Sequence, residues 1–252
     1  MIRISSVNYL NSAPFIYGIR KGDFPEPVTL SLDIPSVCAA KLISGEADIG
    51  LVPVASIPLI PHAKIISGFC IGADGPVRSV TLLGDVPPRE MKTILLDYQS
   101  RTSVALVKLL AKHYWKINPE WKNTSEGFEQ LISGNTGGVV IGDRSLRLQT
   151  QFKVMVDLGA EWKNMTGLPF VFACWVANRE LSPEFIESFE SALSAGINTI
   201  DKVIAGLGNE YDNIEHVREY LTTSISYNFD EKKKVGLKLF LDYLAELAPV
   251  PA

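Results

Sequence analysis

The sequence predicts a two-lobed α/β fold with a hinge and an inter-lobe cleft, and three observations predict it. The tetrapeptide Leu-Ile-Ser-Gly occurs at Leu42–Gly45 and again at Leu131–Gly134. Each copy closes a helix-like stretch and leads into a short apolar run, SVCAAKLISGEADIGLVPVAS in the first and SEGFEQLISGNTGGVVIGDRS in the second. A helix stopped by glycine and followed by a buried strand is half of an α/β unit, so two separated copies predict two similar lobes. The segments Gly75–Val86 and Leu168–Ala177 then read as two crossings between the lobes. Two crossings make a hinge, and a cleft between lobes is where small ligands bind.

The elements follow in order. Ile2–Val7 alternates as a first strand and Val28–Asp33 as a second. Pro35 precedes a helix capped by Ser36 that runs to about Ser44, with Gly45 as its stop. Ala47–Val52 is a buried strand, Val54–Leu59 a short helix and Lys64–Ile71 a further strand. Gly75–Gly84 reads as an extended segment leading away, and Lys92–Asp97 as a new strand. Thr102–Tyr114 is a helix whose apolar face is Val104, Leu106, Val107, Leu110 and Ala111. The second echo supplies a strand at Gly138–Gly142. Helices are expected at Pro183–Ala205, near Ile214–Leu221 and at Asp230–Leu247. Lobe 2 is therefore expected at 87–166, and lobe 1 at 1–86 plus 167–252 with the C-terminal helices.

Composition removes several classes of function. The chain has 252 residues, 46% hydrophobic, with a net charge of -4. An acidic chain whose longest basic run is Lys232–Lys234 does not read as a nucleic-acid binder. The three cysteines and three histidines are scattered singly, with no zinc or redox spacing. No metal and no cofactor are expected. There is no P-loop, dinucleotide fingerprint, GxSxG elbow or HExxH. Asn8 and Asn11 interrupt the first apolar stretch, and no run reaches the roughly 18 apolar residues of a membrane span. The expectation is a cytoplasmic protein with a small-molecule substrate and neither a membrane nor a nucleic-acid partner. Nothing in the sequence fixes an oligomeric state.

Polar residues gather where strands end and helices begin, where free backbone N–H groups and the helix dipole hold anions. The first such place is Asn8–Pro14, in which Asn11 and Ser12 offer side-chain hydrogen bonds and one of them serves as a cap. The second is Gln99–Ser103: Ser100, Thr102 and Ser103 give more hydroxyls than a cap needs, which suits a carboxylate or phosphate. The third is Ile141–Ser145, where Gly142 lets a ligand approach the backbone. Asp143 there is either an acid/base group or a residue that caps a helix or pairs with Arg144. Arg78 and Ser79 lie on the presumed hinge. Arg78, Arg101 and Arg144 each adjoin one of these segments, and bidentate carboxylate recognition would be a natural use of one of them, with surface pairing as the alternative.

The segment Val7-Asn8-Tyr9-Leu10-Asn11-Ser12-Ala13-Pro14 resembles the chorismate dehydratases of menaquinone biosynthesis. The resemblance continues through Gly45–Pro53, Arg78-Ser79-Val80, Ser100–Ser103, Ile141-Gly142-Asp143 and Leu168–Phe172. It implies a type II periplasmic-binding-protein-like fold used as an enzyme. The implied reaction converts chorismate to 3-[(1-carboxyvinyl)oxy]benzoate and opens the futalosine route. It further implies Asn11 at the reacting end, Ser79, Thr102 and Ser103 on carboxylates, and Asp143 as a weaker candidate for proton transfer. The same fold serves the sister enzyme that makes dihydroxynaphthoate, whose start motif differs. A solute-binding protein and the sensing domain of a regulator are the non-catalytic alternatives.

Overall fold

In the computed structural model, which describes residues 1–207, 211 and 213–247, the chain enters directly on β1 (Ile2–Val7). A single 3-10 turn, Leu10–Ser12, leads into α1 (Ala13–Lys21), and Pro14 occupies the first turn, where its missing N–H costs nothing. β2 (Val28–Asp33) and α2 (Pro35–Ser44) follow. The residue capping α2 is Ile34 rather than the expected Ser36, because Pro35 takes the first helical position and draws Ser36 into the helix. Gly45 stops α2 at a φ of 78°, in the left-handed region that glycine enters without penalty. β3 (Ile49–Pro53) and β4 (Lys64–Ala73) come next. Then come β5 (Val80–Gly84), β6 (Thr93–Leu96), α3 (Arg101–Leu110), β7 (Glu120–Asn123), β8 (Thr136–Ile141), α4 (Gly142–Leu148), β9 (Val154–Asp157) and α5 (Leu158–Thr166). The chain ends on β10 (Phe170–Ala177), α6 (Pro183–Ile197), α7 (Ile200–Gly206), α8 (Ile214–Glu219), β11 (Ser226–Asn228) and α9 (Glu231–Glu246).

Among the described residues the strands form two sheets, ordered β11-β4-β10-β3-β1-β2 and β7-β6-β8-β5-β9. The described residues divide into two compact units, one of Met1–Gly72 with Val171–Asp230, the other of Ala73–Phe170 with the described residues from Glu231 onward. The second unit is larger than the expected 87–166 at both ends. The supposed lead-away segment is β5, which pairs antiparallel with both β8 and β9, so the boundary falls before it. The last helix, expected in lobe 1, belongs to the second unit. Its Phe240 ring lies 5.1 Å from Phe170, edge to face. Gly236 passes so close to the Pro169 carbonyl that a Cβ there would sit 2.3 Å from the oxygen. The chain consequently passes between the units three times rather than two.

In the first unit, β1 runs parallel to β2 and β3, and β10 pairs antiparallel with β3. Phe15 of α1 packs edge to face on Trp175 of β10 (5.7 Å), which meets Phe189 of α6 (5.1 Å). In the second unit, β6 runs parallel to β7 and β8. Leu83, Leu95, Phe128, Ile132 and Val140 form a core cluster there, and Trp162 of α5 lies 5.2 Å from Phe170. The two Leu-Ile-Ser-Gly copies differ. The first closes an α-helix; the second follows one 3-10 turn, Phe128–Leu131, with Gly134 at a φ of 56°. The long expected helix at 183–205 is broken into α6 and α7 at Asn198–Thr199.

Candidate functional site

In an α/β sheet the carboxyl ends of the strands are where ligands collect, because helix N-termini and irregular loops open there. In the first unit that edge carries the loop after β1. Asn8 N–H donates to the Asp33 carbonyl at the end of β2 (2.9 Å), which ties the start of the loop to the sheet. Ser12 is fully buried, and its Oγ lies within hydrogen-bond reach of the Val7 and Tyr9 carbonyls and accepts from Tyr9 N–H. Ser12 therefore shapes the turn, with its proton given to backbone carbonyls. Asn11 is half-buried, and its carbonyl accepts from the Tyr227 hydroxyl at 3.0 Å. Among the described residues the Asn11 side-chain amide has no hydrogen-bond partner. Asp33 is engaged: burial works to raise its pKa, but hydrogen bonds from Lys41, Ser31 and Ser5 outweigh it and hold the carboxyl below the usual range.

In the second unit the same edge gathers most of the other candidates. β5 runs antiparallel to its neighbours, so its start meets the ends of β8 and β9. Gly142 N–H donates to the Ser79 carbonyl at 2.8 Å, extending that pairing past the end of β8. Gly142 has a φ of 63° and Arg78 one of 62°. The left-handed conformation costs a residue with a Cβ about 1–2 kcal/mol, so something must hold Arg78 there. Asp157 does so: its carboxylate accepts from Val77 N–H (3.1 Å), Arg78 N–H (2.6 Å) and, as the cap of α5, Ala160 N–H (3.0 Å). Burial pushes the Asp157 carboxyl up, and the N–H bonds offset part of that rise.

At the start of α3, Ser100 is the cap. Its Oγ accepts from Ser103 N–H (3.1 Å) and its proton goes to Ser103 Oγ (2.9 Å). The Ser100 proton is thus committed within the helix, whereas the Ser103 hydroxyl keeps its own proton to donate. Thr102 and Ser103 are buried, and so is Ser79. Arg144 faces inward, toward the protein's own carboxylates. Its guanidinium donates to Asp97 (2.7 Å) and to Glu129, and lies 5.2 Å and 5.9 Å from the ring centres of Tyr98 and Phe128. Asp97 also accepts from Gln99 N–H at 2.8 Å. One guanidinium thereby joins the turn after β6 to the turn after β8. Burial pushes the Asp97 carboxyl up to about 6, against the opposing pull of Arg144 and the backbone N–H groups of Gln99 and Ile141.

The structure therefore gathers Arg78, Ser79, Ser100, Thr102, Ser103, Gly142 and Asp143 along one edge of the second unit, and places Asn11 and Ser12 on the corresponding edge of the first. Three working residues were not singled out in the sequence. Asp97 closes a strand that was recognised, Asp157 precedes a helix that was not, and Tyr227 sits in a three-residue strand too short to show a period. At the opposite edge of the first sheet a groove is lined by His62, Lys64, Asn178, Arg179 and Glu180. Its Lys64 pairs with Glu180 and its Arg179 approaches Asp48 at 3.6 Å. Among the described residues no group of His, Cys, Asp and Glu could hold a metal ion, and no helix is long and apolar enough to cross a membrane.

Comparison with known proteins adds five findings. A family model described as menaquinone biosynthesis matches residues 2–246. The chain is 27% identical to a chorismate dehydratase of Thermus thermophilus, over 94% of this chain and 92% of that protein. It is 32% identical to one of Campylobacter jejuni, over 93% of this chain and 94% of that protein. Among solved structures, a protein of Archaeoglobus fulgidus superimposes with a TM-score of 0.78 at 16% identity, covering 97% of both chains. A Candida albicans protein with the generic periplasmic-binding-protein fold gives 0.73 at 14% identity, over 100% of this chain and 92% of that one. The fold is thus that of the periplasmic binding proteins, as the sequence predicted.

Proposed function

Because the chain belongs to the menaquinone-biosynthesis family, we propose that it is a chorismate dehydratase, a lyase converting chorismate to 3-[(1-carboxyvinyl)oxy]benzoate. The observation that carries the proposal is the similarity to chorismate dehydratases of two bacteria along nearly the full length of each chain. The chemistry of the second unit's edge supports it. Chorismate carries two carboxylates, and the edge offers the N-terminus of α3, the donating hydroxyl of Ser103 and the hydroxyls of Thr102 and Ser79. Arg78 is held next to Ser79 in a strained conformation, as residues at binding sites often are.

The reaction breaks one ring C–H bond and the neighbouring C–O bond. The C–H electron pair becomes a ring double bond, the hydroxyl leaves with its own pair, and the proton and hydroxide depart as water. The new double bond completes an aromatic ring, which supplies the driving force. The protein's part is to orient the ring, keep the leaving hydroxyl hydrogen-bonded and leave room for proton removal. Asn11 is assigned to the reacting end, because its amide is unengaged and can donate to a departing hydroxyl. Thr102, Ser103 and Ser79 are assigned to carboxylates, and Ser12 and Ser100 to holding the turns that carry them.

The test is direct. Purified protein incubated with chorismate should produce the enolpyruvyl benzoate, followed by chromatography with mass detection. Tight chorismate binding without product would replace the proposal with a carrier or sensor, and neither binding nor product would remove chorismate as the ligand.

A further inference from the structure

Tyr227 stands far from every segment that suggested function, yet it contacts the backbone of Asn11. It sits in β11, which pairs with β4 through Ser226↔Gly72 and Asn228↔Phe69, with the register shifting between the two pairs. Such an irregularity turns a side chain out of the ordinary alternation and is a common way to aim one residue. Here the ring passes under α1 and meets Phe15 edge to face, with centres 5.3 Å apart. The hydroxyl ends on the Asn11 carbonyl at 3.0 Å. Phe15 is itself wedged against Trp175, so the ring is fixed on its flank as well as at its tip. Burial holds the phenol far above its ordinary pKa, so it remains a neutral donor at any working pH.

We propose that Tyr227 is a positioning residue for the dehydration, fixing the backbone of Asn11 so that its side-chain amide meets the leaving hydroxyl. The inference rests on the assignment of Asn11 to the reacting end. The carbonyl Tyr227 holds belongs to the same residue whose amide is unengaged. A shift of the backbone at Asn11 carries its Cα, and with it the side-chain amide, with no other residue between. Ser12 and Asn8 pin the turn that carries Asn11 from its own backbone and from the end of β2. Tyr227 adds a hold on Asn11 itself.

Three variants test this: Tyr227→Phe, Asn11→Ala and the double variant, assayed for chorismate turnover well below their melting temperatures. Tyr227→Phe keeps the ring packing and removes only the hydrogen bond. The expected result is a kcat lower by about tenfold with KM changed less than about twofold, since ångström misplacement of a reacting group costs rate more than affinity. In the Asn11→Ala background the same change is expected to add no further loss. Full kcat in Tyr227→Phe, with Asn11→Ala impaired, would overturn the role of Tyr227 and leave Asn11 standing. Losses that multiply in the double variant would likewise overturn it, because Tyr227 would then act elsewhere. Full turnover in Asn11→Ala would overturn the assignment of Asn11 and this inference together.

Discussion

Replacing Asp97 with Asn is expected to remove a defined part of the protein's pH-dependent stability. In the folded protein burial holds the Asp97 carboxyl at about 6, against 3.8 for an ordinary aspartate. A raised carboxylate pKa means that the folded state grips the proton more tightly than the unfolded state. Its contribution therefore favours folding at low pH and is lost as the pH rises from about 4 through about 6. At about 1.36 kcal/mol per pH unit the full effect is about 3 kcal/mol, of which about 1.4 kcal/mol is lost between about pH 5 and pH 7.5. Asn cannot titrate. Urea unfolding at those two pH values should show the wild type losing about 1.4 kcal/mol relative to Asp97→Asn as pH rises. The remaining carboxylates are common to both proteins and cancel to first order. The variant keeps an amide oxygen for Arg144 to donate to but loses the carboxylate charge, an offset that the comparison of the two pH values removes. An equal response in the two proteins would refute the reasoning. Wild type gaining ground with pH would refute it more sharply, since the Arg144 fork would then outweigh burial.

Gly196→Ala is expected to cost about 1–3 kcal/mol, read as a fall in Tm of about 2–4 °C per kcal/mol. The new Cβ would sit 1.9 Å from the Pro14 carbonyl oxygen where α6 crosses α1, whereas Gly206→Ala meets nothing within 4 Å and should shift stability by less than about 1 kcal/mol. Asp157→Ala strands the N–H groups of Val77, Arg78 and Ala160. It should cost about 2 kcal/mol or more in denaturant unfolding and raise KM for chorismate as the turn at Arg78–Ser79 relaxes. Ser100→Ala and Ser103→Ala should separate cap from ligand contact. The first should lower stability by about 1 kcal/mol with KM little changed, and the second, which takes away the acceptor of the Ser100 proton, should cost a similar amount and also raise KM by about tenfold, the worth of one hydrogen bond to a carboxylate.

The two-unit division was legible because local signals carried it. Gly45 takes the left-handed conformation a helix stop requires, and Ile49–Pro53 is buried along its whole length, as an uninterrupted apolar run implies. What escaped reading was long-range. β5 looks like a connector because its sequence, Val80–Gly84, does not disclose that β8 and β9 flank it on both sides. α9 has an ordinary amphipathic pattern, and only the contact of Phe240 with Phe170 assigns it to the second unit. The site was legible to a similar depth. Residue types at strand ends located the edge. Which hydroxyls are spent as caps, and that Arg144 serves Asp97 rather than a ligand, depend on hydrogen bonds between segments distant in sequence.

The pattern of engaged acids bears on the one step that lacks an assigned group, removal of the ring proton. At the second unit's edge Asp97 is held by Arg144 and Gln99 N–H, Glu129 by Arg144, and Asp157 by three backbone N–H groups. At the first unit's edge Asp33 is held by Lys41 and two serines. Each of these carboxylates would weaken its hydrogen bonds on taking a proton, and Asp97, whose pKa of about 6 comes nearest to a base, is fully buried against Arg144. Asp143, half-exposed after β8, is the remaining protein candidate. A substrate that carries two carboxylates brings an alternative with it: the enolpyruvyl carboxylate of chorismate is tethered to the ring and can take the proton itself. An edge composed of donors, with its acids occupied, suits a reaction in which the substrate supplies the base. Asp143→Asn decides between them. Turnover within about threefold of wild type fits the substrate as base. A loss of the 100-fold to 10,000-fold order expected for removing a general base, with chorismate affinity unchanged in equilibrium binding, would assign the proton to Asp143 and defeat the argument.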